Sequence, residues 1–420
     1  MNPPLSRRSL LALSGLSLLS ACSGENGESS ASTIDWWHIS TTDPMLSLWA
    51  TLAKEFETAH AGAKVTITPL ENEAFKAKLT TVTQAGNPPH LFHSWGGGVL
   101  KQQVQAGLVK ELPLSLGDGL TPAALDPYKV DGKLYGLPFD IGMVGFWYNK
   151  ELFAKAGADI PATWADLLAA VQKLKTAGVT PIALAGADKW PAHFYWSYLA
   201  MRIGGLDALK QAEKDGNFDT PDFVAAGQRF KELIDLQPFQ KGFLGAKYDA
   251  PDGQAAAIGN GQAAMELMGQ WGPSVQNSSS ASKNGLGDKL GFFPFPAVDG
   301  GKGKAADAFG GGNGFALGHN APAITSDFVK FLVDPANQRR EAATGAVLPV
   351  AKGADDAIKD ANMATVAKSL SSATGFQLYL DQAYAPAVGQ QVNDSVAELV
   401  AGTVTPQQVA QAITETAKNQ

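Results

Sequence analysis

Between Tyr128 and Lys155 the chain reads YKVDGKLYGLPFDIGMVGFWYNKELFAK, and this stretch limits the fold more than any other. Two short runs, Tyr128-Lys129-Val130 and Lys133-Leu134-Tyr135, flank Asp131-Gly132. That pair accepts positive φ at both centres of a type I′ turn, so a β-hairpin is expected. The chain then passes through Gly136-Leu137-Pro138-Phe139-Asp140 into Ile141-Gly142-Met143-Val144-Gly145-Phe146-Trp147-Tyr148, an extended segment with glycines where a strand normally carries side chains. Glycine there marks a bend or a close backbone approach.

Upstream, strands alternate with helices. Thr33 to Ile39 reads as a first strand, and Pro44 to His60 as an amphipathic helix with Leu48, Leu52 and Phe56 on one face. Lys64 to Pro69 is a second strand, followed by a helix through Phe75, Leu79 and Val82; Leu91 to Trp95 is a third, ending in Gly96-Gly97-Gly98 before another helix. This order predicts an α/β fold with a parallel or mixed sheet, whose ligands sit beyond the carboxyl ends of the strands. His38, Asp43, Glu71, Asn72, His93 and Trp95 lie at those ends. Downstream, Thr163 and Asp166 form a capping box for a helix that buries Leu167, Leu168, Val171 and Leu174. Mostly helical segments continue to about Gln276, while Asn277 to Lys304, rich in Ser, Gly, Pro and Lys, reads as largely loop.

A chain of 420 residues exceeds one core, so two or three domains are expected. With 45% hydrophobic and 17% charged residues it has an ordinary globular composition. A net charge of −7 without a stripe of Lys and Arg argues against a nucleic-acid partner. The N-terminus reads as a targeting segment, with Ser6-Arg7-Arg8-Ser9-Leu10 as a basic start and Leu10 to Ala21 as an apolar stretch too short to span a bilayer. Leu19-Ser20-Ala21-Cys22 resembles a bacterial lipobox, whose cysteine would be acylated. Cys22 is the only cysteine, so no intramolecular disulfide can form. Cleavage before it removes Arg7 and Arg8 and no acid, leaving 31 basic and 40 acidic residues and a mature charge of −9. Residues 23–33, rich in Ser, Gly and Glu, read as a flexible tether.

Pro138-Phe139-Asp140, then Gly145, Tyr148-Asn149, Phe153 and Lys155, resemble a signature of the maltose-binding-like extracellular solute-binding proteins of ABC importers. The resemblance covers Thr33 to Lys418. It implies two lobes joined by three crossings, with 34–138 plus 313–348 in the first and 139–312 plus 349–420 in the second. Phe309 to Leu317 would be the second crossing and Val347 to Val350 the third. Trp147 departs from the family, which more often has an aliphatic residue or Phe there, and this aromatic is a candidate ligand contact. The runs Pro69 to Phe75 and His93 to Gly98 further resemble actinobacterial xylo-oligosaccharide-binding lipoproteins.

Enzyme motifs are missing. There is no Walker A lysine and no H-E-x-x-H, and Phe92 stands where a G-x-S-x-G elbow would need its first glycine before His93-Ser94-Trp95-Gly96. His90 and His93, three apart on a strand, face opposite ways and cannot close on one metal. A glycosidase pair among 40 acids stays open, since that pairing has no sequence spacing of its own.

Aromatic residues are prominent instead, with nine tryptophans, many beside polar neighbours. A sugar ring exposes an apolar C–H face that stacks on indole and a rim of hydroxyls that needs donors and acceptors. The resemblance implies that Trp271, in Ala263 to Trp271, stacks on a sugar, that Trp190, His193 and Trp196 add contacts of the second lobe, and that Asp381 accepts from a hydroxyl. Asp140 of the signature joins them. From the strand ends His38, Asp43, Glu71, Asn72 and Trp95 are the first-lobe candidates. The expectation is a monomeric, lipid-anchored receptor on the outer face of the membrane, without cofactor or metal. It would deliver xylobiose or a related disaccharide to a permease. A cello- or chito-oligosaccharide or a polyol is the alternative ligand, and a secreted sugar-active enzyme the alternative class.

Overall fold

The computed structural model describes Ser32 to Gln420. The expected targeting segment, Cys22 and the expected tether through residue 31 therefore lie outside the described residues.

In chain order the strands are β1 (Ser32–His38), β2 (Ala63–Pro69), β3 (Leu91–Ser94), β4 (Lys129–Val130), β5 (Lys133–Leu134), β6 (Gly136–Pro138), β7 (Gly142–Met143), β8 (Gly145–Asn149), β9 (Thr180–Ile182), β10 (Ala263–Met268), β11 (Leu290–Phe293), β12 (Ala308–Gly311), β13 (Gly314–Leu317) and β14 (Phe376–Leu378). The first lobe carries a sheet in the order β2-β1-β3-β13-β6, in which β1 runs parallel to β2 and β3 while β13 is antiparallel to β3 and β6. The second lobe carries β11-β8-β10-β9. A small sheet, β14-β12-β7, lies at the crossings. Asp131 at φ 50° and Gly132 at φ 77° close the β4–β5 hairpin with both centres left-handed, as the Asp-Gly pair predicts.

Each lobe has its own core. In the first, Trp36 meets Trp49, Phe315 and Phe328 edge-on at 5.6, 5.3 and 5.2 Å, rings supplied by β1, β13 and two helices, Met45–Ala59 and Ile324–Leu332. Edge-to-face packing of this kind adds to the area buried. In the second, Tyr198 stacks on Phe295 at 4.4 Å. Beside it the buried Arg202 donates to the carbonyls of Phe295, Pro296, Ala305 and Asp307, so that its charge is satisfied without a carboxylate. The helix Trp164–Thr176 begins with the expected Thr163/Asp166 capping box.

Three details differ from the sequence reading. Within Asn277 to Lys304, Leu290–Phe293 forms β11, the edge strand antiparallel to β8; Leu290, Phe292 and Phe293 are enough to pair it, although Gly and Pro lie within and around it. Trp147 is no ligand contact but is fully buried, donating from Nε1 to the Gly269 carbonyl at 2.9 Å and packing on Phe292. The crossings also shift: Phe139 belongs to the first core, and so do Val350, Ala351 and Ala354, held by Thr121 N to Val350 O at 2.8 Å and Lys352 N to Gly119 O at 2.9 Å. The third stretch thus alternates between the cores, Leu348 packing in the second and Val350 to Ala354 in the first, before Met363 returns to the second.

Candidate functional site

The two lobes face each other across a cleft with a cavity of about 210 Å³. Its floor is the crossing region. There Asp140 is buried and accepts from Asn313 N at 2.6 Å, from Asn313 Nδ2 at 2.9 Å and from Gln270 Nε2 at 2.9 Å. One carboxylate thereby ties the first crossing to the second and to the second lobe. Burial pushes its pKa up to about 6, against the opposing pull of those donors. Behind it Gln338 holds the first crossing to the third stretch, donating to Phe139 O at 2.7 Å and accepting from Val350 N at 2.8 Å.

The second lobe supplies an aromatic wall. Trp190 and Phe194 come from the helix that begins at residue 190, Trp271 from the turn after β10, and Tyr379 from the end of β14. Trp271 lies 6.5 Å from Trp190 and 6.2 Å from Tyr379, ring centre to ring centre. It is only partly buried, and it folds back over Gly269: a Cβ there would stand 2.0 Å from the indole, so glycine is what leaves room for this placement. The first lobe supplies mainly polar groups. Ser40, Thr41 and Thr42 follow β1, Asn72 and Lys76 share one face of the helix Asn72–Gln84, and His93 and Trp95 end β3. Burial holds His93 neutral, its pKa lowered to about 3. His93 Nε2, Asn72 Oδ1 and Tyr379 Oη are buried without a hydrogen-bond partner in the protein. Buried polar atoms are rarely left so, and a ligand rich in hydroxyls would satisfy all three.

Of the candidates named from sequence, Trp271, Asp381, Trp95, Asn72, Trp190 and Asp140 line the cavity. Five do not, each for a physical reason. His38 is buried against Trp36 at 4.9 Å, with a pKa lowered to about 4 by burial. Asp43 is exposed and accepts from Ser47 N and Oγ in the first turn of the helix Met45–Ala59. Glu71 caps the next one, accepting from Glu73 N and Ala74 N. Trp196 is fully buried and stacks on Phe223 at 5.7 Å. His193 sits one layer behind the wall, its Nε2 4.0 Å from Asp381 Oδ1.

Sequence reasoning missed Lys76, Tyr248, Asp249, Asn313 and Tyr379, and gave His93 no role. Lys76 was within reach, because it stands four residues after Asn72 and so shares its face. Tyr248 and Asp249 sit in a stretch with no periodic signal.

A family model described as bacterial extracellular solute-binding protein matches residues 39–339. Among solved structures, one from work on xylan utilisation by the thermophilic bacterium Caldanaerobius polysaccharolyticus superposes with a TM-score of 0.84 at 26% identity, covering 91% of this chain and 99% of that one. A chitin oligosaccharide binding protein superposes at 0.83 and 27% identity, covering 93% and 99%. An uncharacterised ABC transporter extracellular-binding protein of Pyrococcus horikoshii is 27% identical over 253 residues, 56% of this chain and 54% of that one. The chain therefore spans about half the length of such curated relatives. With the family model matched over most of the chain and both lobes superposed, the chain belongs to the bacterial extracellular solute-binding proteins.

Proposed function

We propose that the chain is the substrate-binding component of an ABC sugar importer. It takes a small neutral oligosaccharide, xylobiose or a related disaccharide, between its lobes and hands it to a membrane permease. The observation that carries this reading is the pairing of an aromatic wall on one lobe with unpartnered polar atoms on the cleft surfaces, His93 Nε2, Asn72 Oδ1 and Tyr379 Oη. Stacking needs the wall, and ring hydroxyls need those atoms. The xylan-utilisation and chitin-oligosaccharide proteins to which the chain is similar support a β-linked sugar, and a chito- or cello-oligosaccharide is the second reading on the same ground.

A thermal-shift panel of xylobiose, cellobiose, N,N′-diacetylchitobiose and a polyol, run on the soluble domain, tests this. A ligand at 100 times its Kd stabilises the native state by about 2.7 kcal/mol, and xylobiose is expected to give the largest rise in Tm. Stabilisation by none of them would remove the reading, and turnover of a glycoside would replace it with the enzyme class. Anchoring through Cys22 is part of the proposal. Because one acyl chain attaches only marginally, stable anchoring needs several, and Cys22→Ser is expected to release the protein from the membrane or stall its processing.

A further inference from the structure

We propose that the cleft is a charge filter, admitting neutral oligosaccharides and rejecting those that carry a carboxylate, and that the ion pair of Lys76 with Asp381 sets this selectivity. The inference rests on the sugar-binding reading above and names the class of sugar that the same cleft refuses.

Lys76 is the only lysine or arginine among the described residues that line the cavity. Its ammonium is already engaged: Nζ lies 3.2 Å from Glu73 Oε1 on its own helix and 3.8 Å from Asp381 Oδ2 on the opposite lobe, and it stands 5.6 Å from the centre of the Trp95 ring. Asp381 is held in turn by Gln382 Nε2 at 3.1 Å and Asn393 Nδ2 at 3.4 Å, and its side chain is only 9% exposed. The pair thus spans the cleft with both ends fixed. His93 adds no positive charge, since burial keeps its imidazole neutral.

Against that one neutralised cation stand Asp140 and Asp249 as well as Asp381. Asp140 is saturated by Asn313 and Gln270. The carboxyl of Asp249 is held above its usual range, first by burial and then by Glu71 of the facing lobe, and the exposed Lys247 offsets this only weakly. A sugar hydroxyl can accept from the Lys76 ammonium and donate to Asp381 without displacing either charge. A uronate carboxylate can accept from the ammonium but cannot donate to Asp381, so it must drive Asp381 off Lys76 or lie against a carboxylate of its own sign, and like charges so placed are strongly disfavoured.

Three β-1,4-linked disaccharides separate charge from size. Cellobiose and cellobiouronic acid differ only at C5 of the non-reducing ring, a hydroxymethyl in one and a carboxylate in the other, whereas xylobiose carries hydrogen at C5 of both rings. By titration calorimetry at pH 7 and low salt, cellobiouronic acid is expected to bind roughly 30-fold or more weakly than cellobiose, since like-charge juxtaposition is the largest difference between them. In Asp381→Asn, where Lys76 keeps Glu73 as its carboxylate partner and the acid across the cleft is gone, that ratio is expected to shrink by roughly fivefold or more, whatever happens to neutral binding. Lys76→Gln serves as the second variant, and should leave the ratio unchanged or larger.

A wild-type ratio near one, or a ratio unmoved by Asp381→Asn, would overturn the filter. A ratio that falls toward one in Lys76→Gln would overturn it too, by showing that the acids left facing the cleft do not repel the carboxylate. Xylobiose binding with cellobiose excluded would make size the criterion and also overturn it. Binding of no saccharide at all would instead bring down the sugar-binding reading beneath it.

Discussion

Trp190, Phe194, Trp271 and Tyr379, all from the second lobe, bring ring surface to the cleft, whereas the first lobe brings Asn72, Lys76 and His93, with Trp95 and Phe139 as its rings. The difference bears on the order of events. Stacking on an exposed ring needs only one lobe, so a sugar can land on the second lobe while the cleft is open. In the proposed sugar-binding role the hydrogen-bonding groups of the first lobe would engage only if the lobes then close, and closure would depend on which hydroxyls are present. The second lobe would then carry most of the affinity and the first most of the discrimination.

The comparison can be broken most severely at Trp196, which this account assigns to packing and not to the wall. Trp196→Ala is expected to cost about 3 to 5 kcal/mol of stability, as large-to-small core changes do, with sugar affinity of the folded fraction unchanged. Denaturant unfolding with and without sugar separates the two, and a variant that melts normally but loses sugar would move Trp196 into the site.

Asp140 probes the floor between the lobes. Its native pKa of about 6 exceeds the unfolded value, so between the two the native state binds the extra proton. Stability from this group therefore falls as pH rises through about 6 and is recovered below about 4. Asp140→Asn removes that dependence. From pH 4 to 7 the stability of the variant relative to wild type should improve by up to about 3 kcal/mol, roughly two units at 1.36 kcal/mol each. A gap independent of pH would mean that the carboxylate titrates normally and is not buried as described.

At the wall itself the expected effect is smaller but falls on binding. Covering about 80 Å² of apolar ring surface at roughly 25 cal/mol per Å² is worth about 2 kcal/mol, so Trp271→Ala should weaken sugar binding by roughly 30-fold while the unliganded melt hardly moves. If it melts far lower yet binds normally, the stacking role passes to Trp190 or Trp95. On the polar side, Asn72→Ala removes one neutral acceptor. It should cost about 1 kcal/mol, near fivefold in Kd, for sugars with a hydroxyl at that point and nothing for analogues lacking it. An equal loss for both would assign Asn72 to the helix start instead of to discrimination.

Much of the fold was legible because local rules and burial agreed. The Asp131-Gly132 turn, the Thr163/Asp166 capping box and the strand–helix alternation before Trp95 each rest on residues within a few positions of one another. What could not be read rests on contacts distant in sequence. The Asp140–Asn313 bonds join residues 173 apart, and nothing near Leu290 announces that β8 needs an edge partner. In the site, strand-end position alone did not tell a cavity residue from a helix cap: Asn72 and Glu71 are adjacent, and one faces the cleft while the other closes the helix. Aromatic composition was likewise blind to direction, since Trp190 and Trp196 share a helix and only one reaches the cavity.

The most direct test of the central claim is a structure of the protein with the disaccharide that stabilises it most. One pyranose ring is expected to lie parallel to the Trp271 indole between the lobes, with ring hydroxyls on His93 Nε2, Tyr379 Oη and Asn72 Oδ1. A sugar bound outside the cleft, or bound within it without touching either Trp271 or the first-lobe groups, would contradict it.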